Sequence, residues 1–394
     1  MIKIFLIGWF GAGNVGDEAI LLTELLAIRN RIKGARFYIL SFDKEKTKKL
    51  TGEISEVERI IELGAKKRFF RSDFRGLLSA FKNSDAVVIG GGGIFQDLYN
   101  YYPVPFFTLM ALMARLFRKL LVLHAVGIGP LNKLISRRLC RTAAGLAHMI
   151  SVRDFESKEL LKEIGVNKEI HAAADPVFLL RDLLGEKIER LMDRHKTGKE
   201  RPTVGICIQN LLSWSRDNKQ ALAAALDALA RERNTRLVFI PFGVYPDGWF
   251  RKEDTEPIDV IASKELAGLL KSEHSIMTSH TTPEETMAVI GGLDLVISMR
   301  LHGIIMGLSM GVPVLALTYA DESKISNLMK RVGREEDVFH VNDLDAEKLL
   351  SRLKAVLARN DEFKRDLREK VIHLKREAEK SFELLSGRLS LSPH

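Results

Sequence analysis

The sequence predicts an α/β protein of two consecutive parallel sheets closed by a long C-terminal helix. Three observations carry this. Short β-branched or aliphatic runs alternate with helix-length amphipathic segments along the chain, the mark of strand–helix–strand units. A length of 394 residues suits two domains, each able to bury its own core. The alternation breaks at a charged stretch between Gly185 and Arg201 and then begins again.

The predicted strands of the first series are, in order, Lys3–Ile7, Arg36–Ser41, Asp85–Ile89, Leu120–Val126, Met149–Val152 and Glu169–Ala172. The second series is Thr203–Ile208, Arg236–Ile240, Ser275–Met277, Asp294–Ser298 and Pro313–Leu317. Asp361 to Leu385 mixes acids and bases evenly and reads as one solvated helix packed across both domains. Ser386 to His394 reads as a loose tail. The expected division is therefore 1–180, 201–355 and a C-terminal helix and tail over 356–394. Parallel sheets bind ligands beyond the carboxyl ends of their strands, so the cleft between the domains is the expected site.

Composition excludes several classes. With 46% hydrophobic and 28% charged residues, extensive disorder is out. Cys140 and Cys207, the only cysteines, make no disulfide framework or thiolate metal cluster, and a reducing, cytoplasmic setting is expected. Met1 to Phe10 is apolar but runs into a glycine-rich turn, not a cleavage site. The apolar stretch Pro103 to Ala114 is too short for a spanning helix of about 20 residues.

The net charge of +9 is unevenly placed. Lys66, Lys67, Arg68, Arg71, Arg75 and Lys82 face only Asp73 within 64–82. Residues 115–141 hold Arg115, Arg118, Lys119, Lys133, Arg137, Arg138 and Arg141 with no acid. Solvated helix faces explain such runs; so does contact with anionic membrane lipid or a phosphate-bearing substrate. No nucleic-acid-binding motif accompanies the charge, so nucleic acid is not an expected partner.

Three stretches carry chemistry. Directly after the first strand, Gly8-Trp9-Phe10-Gly11-Ala12-Gly13-Asn14-Val15-Gly16-Asp17-Glu18 lets backbone approach a ligand at a helix N-terminus. Its spacing is not that of a dinucleotide loop. The helix dipole favours a carboxylate at Asp17 in any case. The functional alternative is that Asp17 orients or deprotonates an acceptor hydroxyl. Second, Gly90-Gly91-Gly92-Gly93 leads into Gln96 and Asp97. Four successive glycines cost backbone entropy that a close substrate contact would explain. Gln96 and Asp97 are expected to read sugar hydroxyls, and Tyr99, Tyr101 and Tyr102 either stack on a sugar or simply pack. Third, Ser298-Met299-Arg300-Leu301-His302-Gly303 ends a strand and opens a helix. An arginine there binds phosphate or carboxylate, and a histidine two residues on is a proton donor in the useful range. Lys324 adds a possible second cation at that rim.

In order and spacing these stretches resemble the polysaccharide pyruvyl transferase family. The likeness covers Gly8 to about Gly333. It rests on Gly13 to Glu18, the glycine run ending in Gln96-Asp97, Gly127-Ile128-Gly129-Pro130, Ser151-Val152-Arg153-Asp154, Ala174-Asp175-Pro176, Arg300-Leu301-His302-Gly303, and Tyr319 with Lys324. The nearest branch resembles the bacterial cell-wall enzymes that add a pyruvyl ketal to a lipid-linked disaccharide, a mark read by surface-layer proteins. The resemblance implies a GT-B-like fold of two Rossmann-type domains facing a cleft. It implies phosphoenolpyruvate as donor substrate, with no further cofactor and no metal. The implied acceptor is an N-acetylhexosamine, typically N-acetylmannosamine, and the products are a 4,6-ketal and phosphate. His302 would be the general acid, with Asp17 and Asp217 as candidate base or orienting acids. Donor contacts would come from Arg300, Leu301, His302, Gly303, Arg153 and Lys324. Acceptor contacts would come from Asn14, Gly16, Asp17, Gly91, Gly92, Gly93, Gln96 and Asp97. A basic N-terminal domain meeting a diphosphate-lipid acceptor at the inner membrane face would account for the charge.

Other features have plainer readings. Asp343-Leu344-Asp345 has the form of a metal-binding sugar-transferase motif but precedes a helical run, so it reads as a cap. Thr282-Pro283-Glu284-Glu285 reads as a helix start. His274 and His280 lack a third ligand. A nucleotide-sugar glycosyltransferase of GT-B type and a non-enzymatic glycan- or anion-binding protein remain as alternatives.

Overall fold

Two all-parallel sheets form, largely from the strands that the alternation marks. The structure is a computed structural model, which describes residues 1–64, 72–98, 102–195, 201–209, 214–243, 256–278, 281–319 and 323–390. Lys66, Lys67, Arg68, Arg71, Tyr99, Tyr101 and His280 lie outside the described residues. The chain divides into two units. The first comprises Met1–Ala12, Asp17–Leu183 and Leu374–His394; the second comprises Leu184–His373 together with Gly13–Gly16.

The strands of the first unit are β1 (Lys3–Ile7), β2 (Arg36–Ser41), β3 (Val57–Glu62), β4 (Ala86–Gly90), β5 (Gly93–Phe95), β6 (Leu120–Ile128), β7 (Met149–Val152) and β8 (His171–Ala172). Their order is β3-β2-β1-β4-β6-β7-β8, with β5 paired onto β6 beyond the end of β4. Phe5 of β1 stands between Tyr38 and Val87. Ala86, Val87, Val88 and Ile89 are fully buried, as expected for a parallel strand covered on both faces. Beneath them Phe5 meets Phe81 edge-on at 5.1 Å.

The second unit repeats the scheme with β9 (Thr203–Cys207), β10 (Arg236–Phe239), β11 (His274–Ile276), β12 (Leu295–Ser298), β13 (Val314–Thr318) and β14 (Val338–His340), in the order β11-β10-β9-β12-β13-β14. Val204, Ile206, Leu237, Phe239, Leu295 and Ile297 form the centre of its core. In both sheets the strand order reverses beside the first strand, between β1 and β4 and between β9 and β12. Such a switch point leaves a crevice at the carboxyl ends of the two strands.

Local chemistry explains the helix starts. Asp154, Ser215 and Asp345 each accept backbone N–H bonds at the first turn of the helix that follows. Asp343-Leu344-Asp345 is thus a cap. Thr282 and Glu285 form the reciprocal capping box. The last helix runs Asn360–Ser390, so residues 386–390, expected as loose tail, are helical. No helix among the described residues is long and apolar enough to cross a membrane. Cys140 and Cys207 are buried and free, and burial pushes both thiols well above the usual range.

Candidate functional site

In the second unit the switch point holds Arg300 and His302. Ser298, the last residue of β12, makes the turn: its hydroxyl accepts the Arg300 N–H at 3.0 Å and donates to the Arg300 carbonyl at 2.8 Å. The helix Leu301–Met310 starts immediately after, with Arg300 at its N-cap. Gly303 must be small, since a Cβ there would lie 2.5 Å from the Ser298 hydroxyl. Leu301 is half-buried and His302 is buried in the first turn, where the leading backbone N–H groups have no partner within the helix.

Arg300 is held by a residue that the sequence reading passed over. Its Nε donates to Asp259 Oδ2 at 2.8 Å, and its Nη2 pairs with Asp259 Oδ1. Asp259 is fully buried, and the same Oδ2 accepts the N–H groups of Phe242 and Gly243, both at 3.0 Å. A fork-to-fork pair of this kind fixes the guanidinium plane. The signal in the sequence was an acid inside the apolar run Ile258-Asp259-Val260-Ile261.

Phe242 also ties the tetrapeptide Gly13–Gly16 to this group. The Val15 N–H donates to the Phe242 carbonyl at 2.9 Å. A Cβ built on Gly16 would lie 2.1 Å from His302 Nδ1, so the imidazole packs against the bare Gly16 backbone. Asn14 accepts the Gly16 N–H at 3.0 Å, a local turn that opens the first helix. Asn14 and Gly16, expected among the acceptor contacts, stand in this turn, with Gly16 directly against His302. Lys324 is half-buried in the helix Ser323–Arg331, which follows β13. Asp217 is exposed in the first turn of the helix Arg216–Arg233, a place that the helix dipole gives any carboxylate.

In the first unit the switch point holds the glycine run. Gly91 and Gly92 have φ of 66° and 75°, a region that side chains disfavour. A Cβ on Gly91 would lie 1.9 Å from Ile20 Cγ2, and one on Gly92 would lie 3.0 Å from Asp17 Oδ1. Asp17 thus lies against the glycine run. The Gln96 amide donates to the Gly93 carbonyl at 3.0 Å. The motif from Gly127 to Pro130 backs the run. Gly127 N–H donates to Gly92 O at 2.8 Å, Gly129 N–H donates to Phe95 O at 2.6 Å, and Pro130 O accepts the Asp97 N–H at 3.0 Å.

Two further expected contacts are engaged within the first unit. Asp97 is buried. Its oxygens accept the N–H groups of Asn132 and Lys133 at 2.7 and 2.9 Å. Burial opposes its ionisation, but these amides and the Ser136 hydroxyl outweigh it and hold the carboxyl below its usual range. Arg153, expected among the donor contacts, is buried in the first unit. It bonds Asp175 at 3.0 Å through Nη1, and its Nη2 lies 3.7 Å from where a Gly93 Cβ would be. It underlies the glycine run, with Asp175 in turn capping Val177.

Three further features of this unit emerge from the fold, one of them at Glu18 of the first motif. Glu18 is buried and accepts the Gly11 N–H at 2.7 Å, and burial pushes its carboxyl up to about 8. Glu24 and His124 pair at 2.7 Å with both side chains buried. The His124 carbonyl accepts the Gly91 N–H. Trp9 stacks near Phe106 at 6.3 Å and meets Phe42 at 5.3 Å, an aromatic face beyond the end of β1. Tyr102, expected in such a wall, is exposed at the start of the helix Pro103–Leu116. No group of acids, histidines and cysteines among the described residues has the geometry of a metal site.

Two Rossmann-like sheets, each with glycine-rich or ion-pairing turns at its switch point, define a protein of GT-B fold. The chain belongs to the polysaccharide pyruvyl transferase family, whose profile matches residues 14–322. It is 24% identical over 410 residues to the amylovoran biosynthesis protein AmsJ of Erwinia amylovora, covering 93% of this chain and 94% of that protein. The UDP-GlcNAc 2-epimerase of Neisseria meningitidis, solved with UDP-GlcNAc, superposes with a TM-score of 0.66 at 11% identity over 99% of this chain and 100% of that one. Anabaena Alr3699/HepE, solved with UDP, gives 0.58 at 14% identity over 99% and 100%. Identities this low speak for the fold alone.

Proposed function

We propose that this chain transfers the enolpyruvyl group of phosphoenolpyruvate to an N-acetylhexosamine, forming a 4,6-pyruvyl ketal and phosphate. The reading is supported above all by the paired Arg300 and Asp259 beside His302 at a helix N-terminus, in a chain of this family. A guanidinium with a fixed plane suits the phosphate or carboxylate of the donor, and the helix N-terminus favours the same charge. His302 protonates the methylene carbon, which makes the adjacent carbon electrophilic. One sugar hydroxyl adds there, the carbon–oxygen bond to phosphate breaks, and the second hydroxyl closes the ketal. One hydroxyl proton replaces that given by His302, and the other leaves with phosphate, so the sum balances without an oxidant or reductant.

The acceptor role goes to the glycine run of the first unit, with Asp17 orienting a hydroxyl and Gln96 lining the turn. N-acetylmannosamine of a lipid-linked cell-wall disaccharide is the proposed acceptor, worked on at the inner face of the membrane, with the product read by surface-layer proteins. The kinship to an amylovoran biosynthesis protein supports a polysaccharide acceptor more broadly. The second reading, a nucleotide-sugar glycosyltransferase, draws on fold neighbours solved with UDP or UDP-GlcNAc.

The test incubates the protein with phosphoenolpyruvate and candidate lipid-linked disaccharides, and measures phosphate release and ketal formation. Loss of His302 to Ala should slow turnover by about 10²–10⁴, and Arg300→Ala should abolish ketal formation. Full activity in either variant removes the mechanism. Release of nucleoside diphosphate from a nucleotide sugar, with none of phosphate from phosphoenolpyruvate, establishes the second reading.

A further inference from the structure

The helices Pro103–Leu116 and Leu134–Leu146 lie side by side, joined where the Thr108 hydroxyl meets the Leu139 carbonyl at 3.2 Å. The inner face of the first is fully engaged, with Val104, Phe107, Thr108, Ala111 and Ala114 buried. Its outer face is apolar too. Leu109, Leu112 and Leu116 are exposed, Leu116 by 73%, and their spacing places them in one stripe. A surface helix of a globular protein carries polar residues there.

The stripe has company. Leu134, 75% exposed, and Ile135 stand at the start of the neighbouring helix. Leu98 is also exposed. The Asp97 carboxylate, which accepts the Asn132 and Lys133 amides, ties its segment to the start of that helix. Arg115, Arg118, Lys133, Arg138 and Arg141 are exposed along the same two helices and their ends. No Asp or Glu occurs anywhere from residue 98 to residue 153.

We infer that this surface is the protein's seat on an anionic lipid bilayer. The leucines enter the headgroup boundary, and the arginines and Lys133 meet lipid phosphates. Exposed apolar side chains gathered on two neighbouring helices mark an interaction site, and apolar insertion combined with basic residues is what holds a protein on an anionic membrane. A second copy of the chain is a poor occupant, because a self-complementary contact would bring two acid-free, basic surfaces together. The surface adjoins the Asp97 end of the glycine run, so a lipid-linked acceptor would arrive from the plane on which the protein rests. The inference stands on exposed side chains of the first unit and does not depend on the chemistry of Arg300 and His302.

The experiment sediments the full chain with vesicles of phosphatidylcholine alone, or with about a third phosphatidylglycerol. Wild type should partition to the anionic vesicles at least about tenfold more strongly, and the preference should vanish in high salt. The triple variant Leu112→Ser, Leu116→Ser, Leu134→Ser should lose about tenfold or more of that binding while melting like wild type. The separate variant Arg115→Gln, Arg118→Gln, Arg138→Gln, Arg141→Gln should lose at least as much. Equal partition of wild type to both vesicle types overturns the inference, as does unchanged binding of the leucine variant. A leucine variant that turns a dimer into a monomer while still binding vesicles would make the surface an interface between copies. Since no substrate is present, the outcome is separate from that of the ketal assay.

Discussion

Gly16 and His302 are joined by an absence: the imidazole fills the space that a Cβ would take, 2.1 Å from Nδ1. Replacing Gly16 with Ala should displace the ring and lower the rate of ketal formation by about 10²-fold, the scale of an ångström-sized misplacement. On the proposed mechanism, donor binding, assigned to Arg300, should change little. A variant with wild-type kcat would show that ring placement here is irrelevant to turnover. Glu18 gives a second prediction. Its carboxyl has an ordinary value of 4.5 when unfolded and about 8 in the buried site. The folded state therefore keeps a proton that the unfolded chain gives up. The associated stability is complete below pH 4.5 and falls as pH rises toward 8. At about 1.4 kcal/mol per pKa unit the loss is a few kcal/mol at most. Glu18→Gln imitates the protonated acid, so its melting temperature between pH 5 and 9 should fall less than that of wild type. Superimposable profiles would mean that the carboxyl is not held protonated. At this scale the sequence announced Arg300 and His302 by position after a strand. Glu24 and His124 were illegible, and Asp259 showed only as an acid in an apolar run, because a buried partner is defined by a fold neighbour 41 or 100 residues away.

The elements were legible where burial repeats and obscure where it does not. The central strands β1, β2, β7, β9 and β12 stand out as apolar runs. The edge strand β3, Val57-Glu58-Arg59-Ile60-Ile61-Glu62, mixes charge with isoleucine because two of its residues face solvent. An edge strand of the second sheet, β14, is three residues long. The short β5 begins at the last glycine of the run and is a strand because Gly93 and Phe95 pair with Gly127 and Ile128 of β6, a contact invisible along the chain. That pairing sets Asp97 in the turn that follows. Its carboxylate joins the turn after β5 to the start of the helix Leu134–Leu146. Asp97→Ala should lower unfolding free energy in urea by about 1–3 kcal/mol, the cost of leaving those amides without their acceptor. A sugar-reading Asp97 would instead leave stability alone and raise the KM for the acceptor.

Across the whole molecule the two-sheet plan was legible from the repeated alternation, whereas the membership of each unit was not. Composition suggested contiguous halves. Hydrogen bonding from Val15 to Phe242 puts Gly13–Gly16 with the later residues, and residues 374–394 belong with the earlier ones. The packing of Phe382 on His124, with ring centroids 4.6 Å apart, is the visible sign of the second exchange. This interleaving has a consequence for a chain growing from the ribosome. Synthesis at about 5–20 residues per second leaves Gly16 waiting roughly 15–60 s before its neighbour His302 exists. The first unit, made early, cannot bury His124 against Phe382 until the last helix has been translated. Neither unit is finished when its sheet is finished: the first still awaits the helical segment from Leu374 onward, and the second joins residues made early to residues made late.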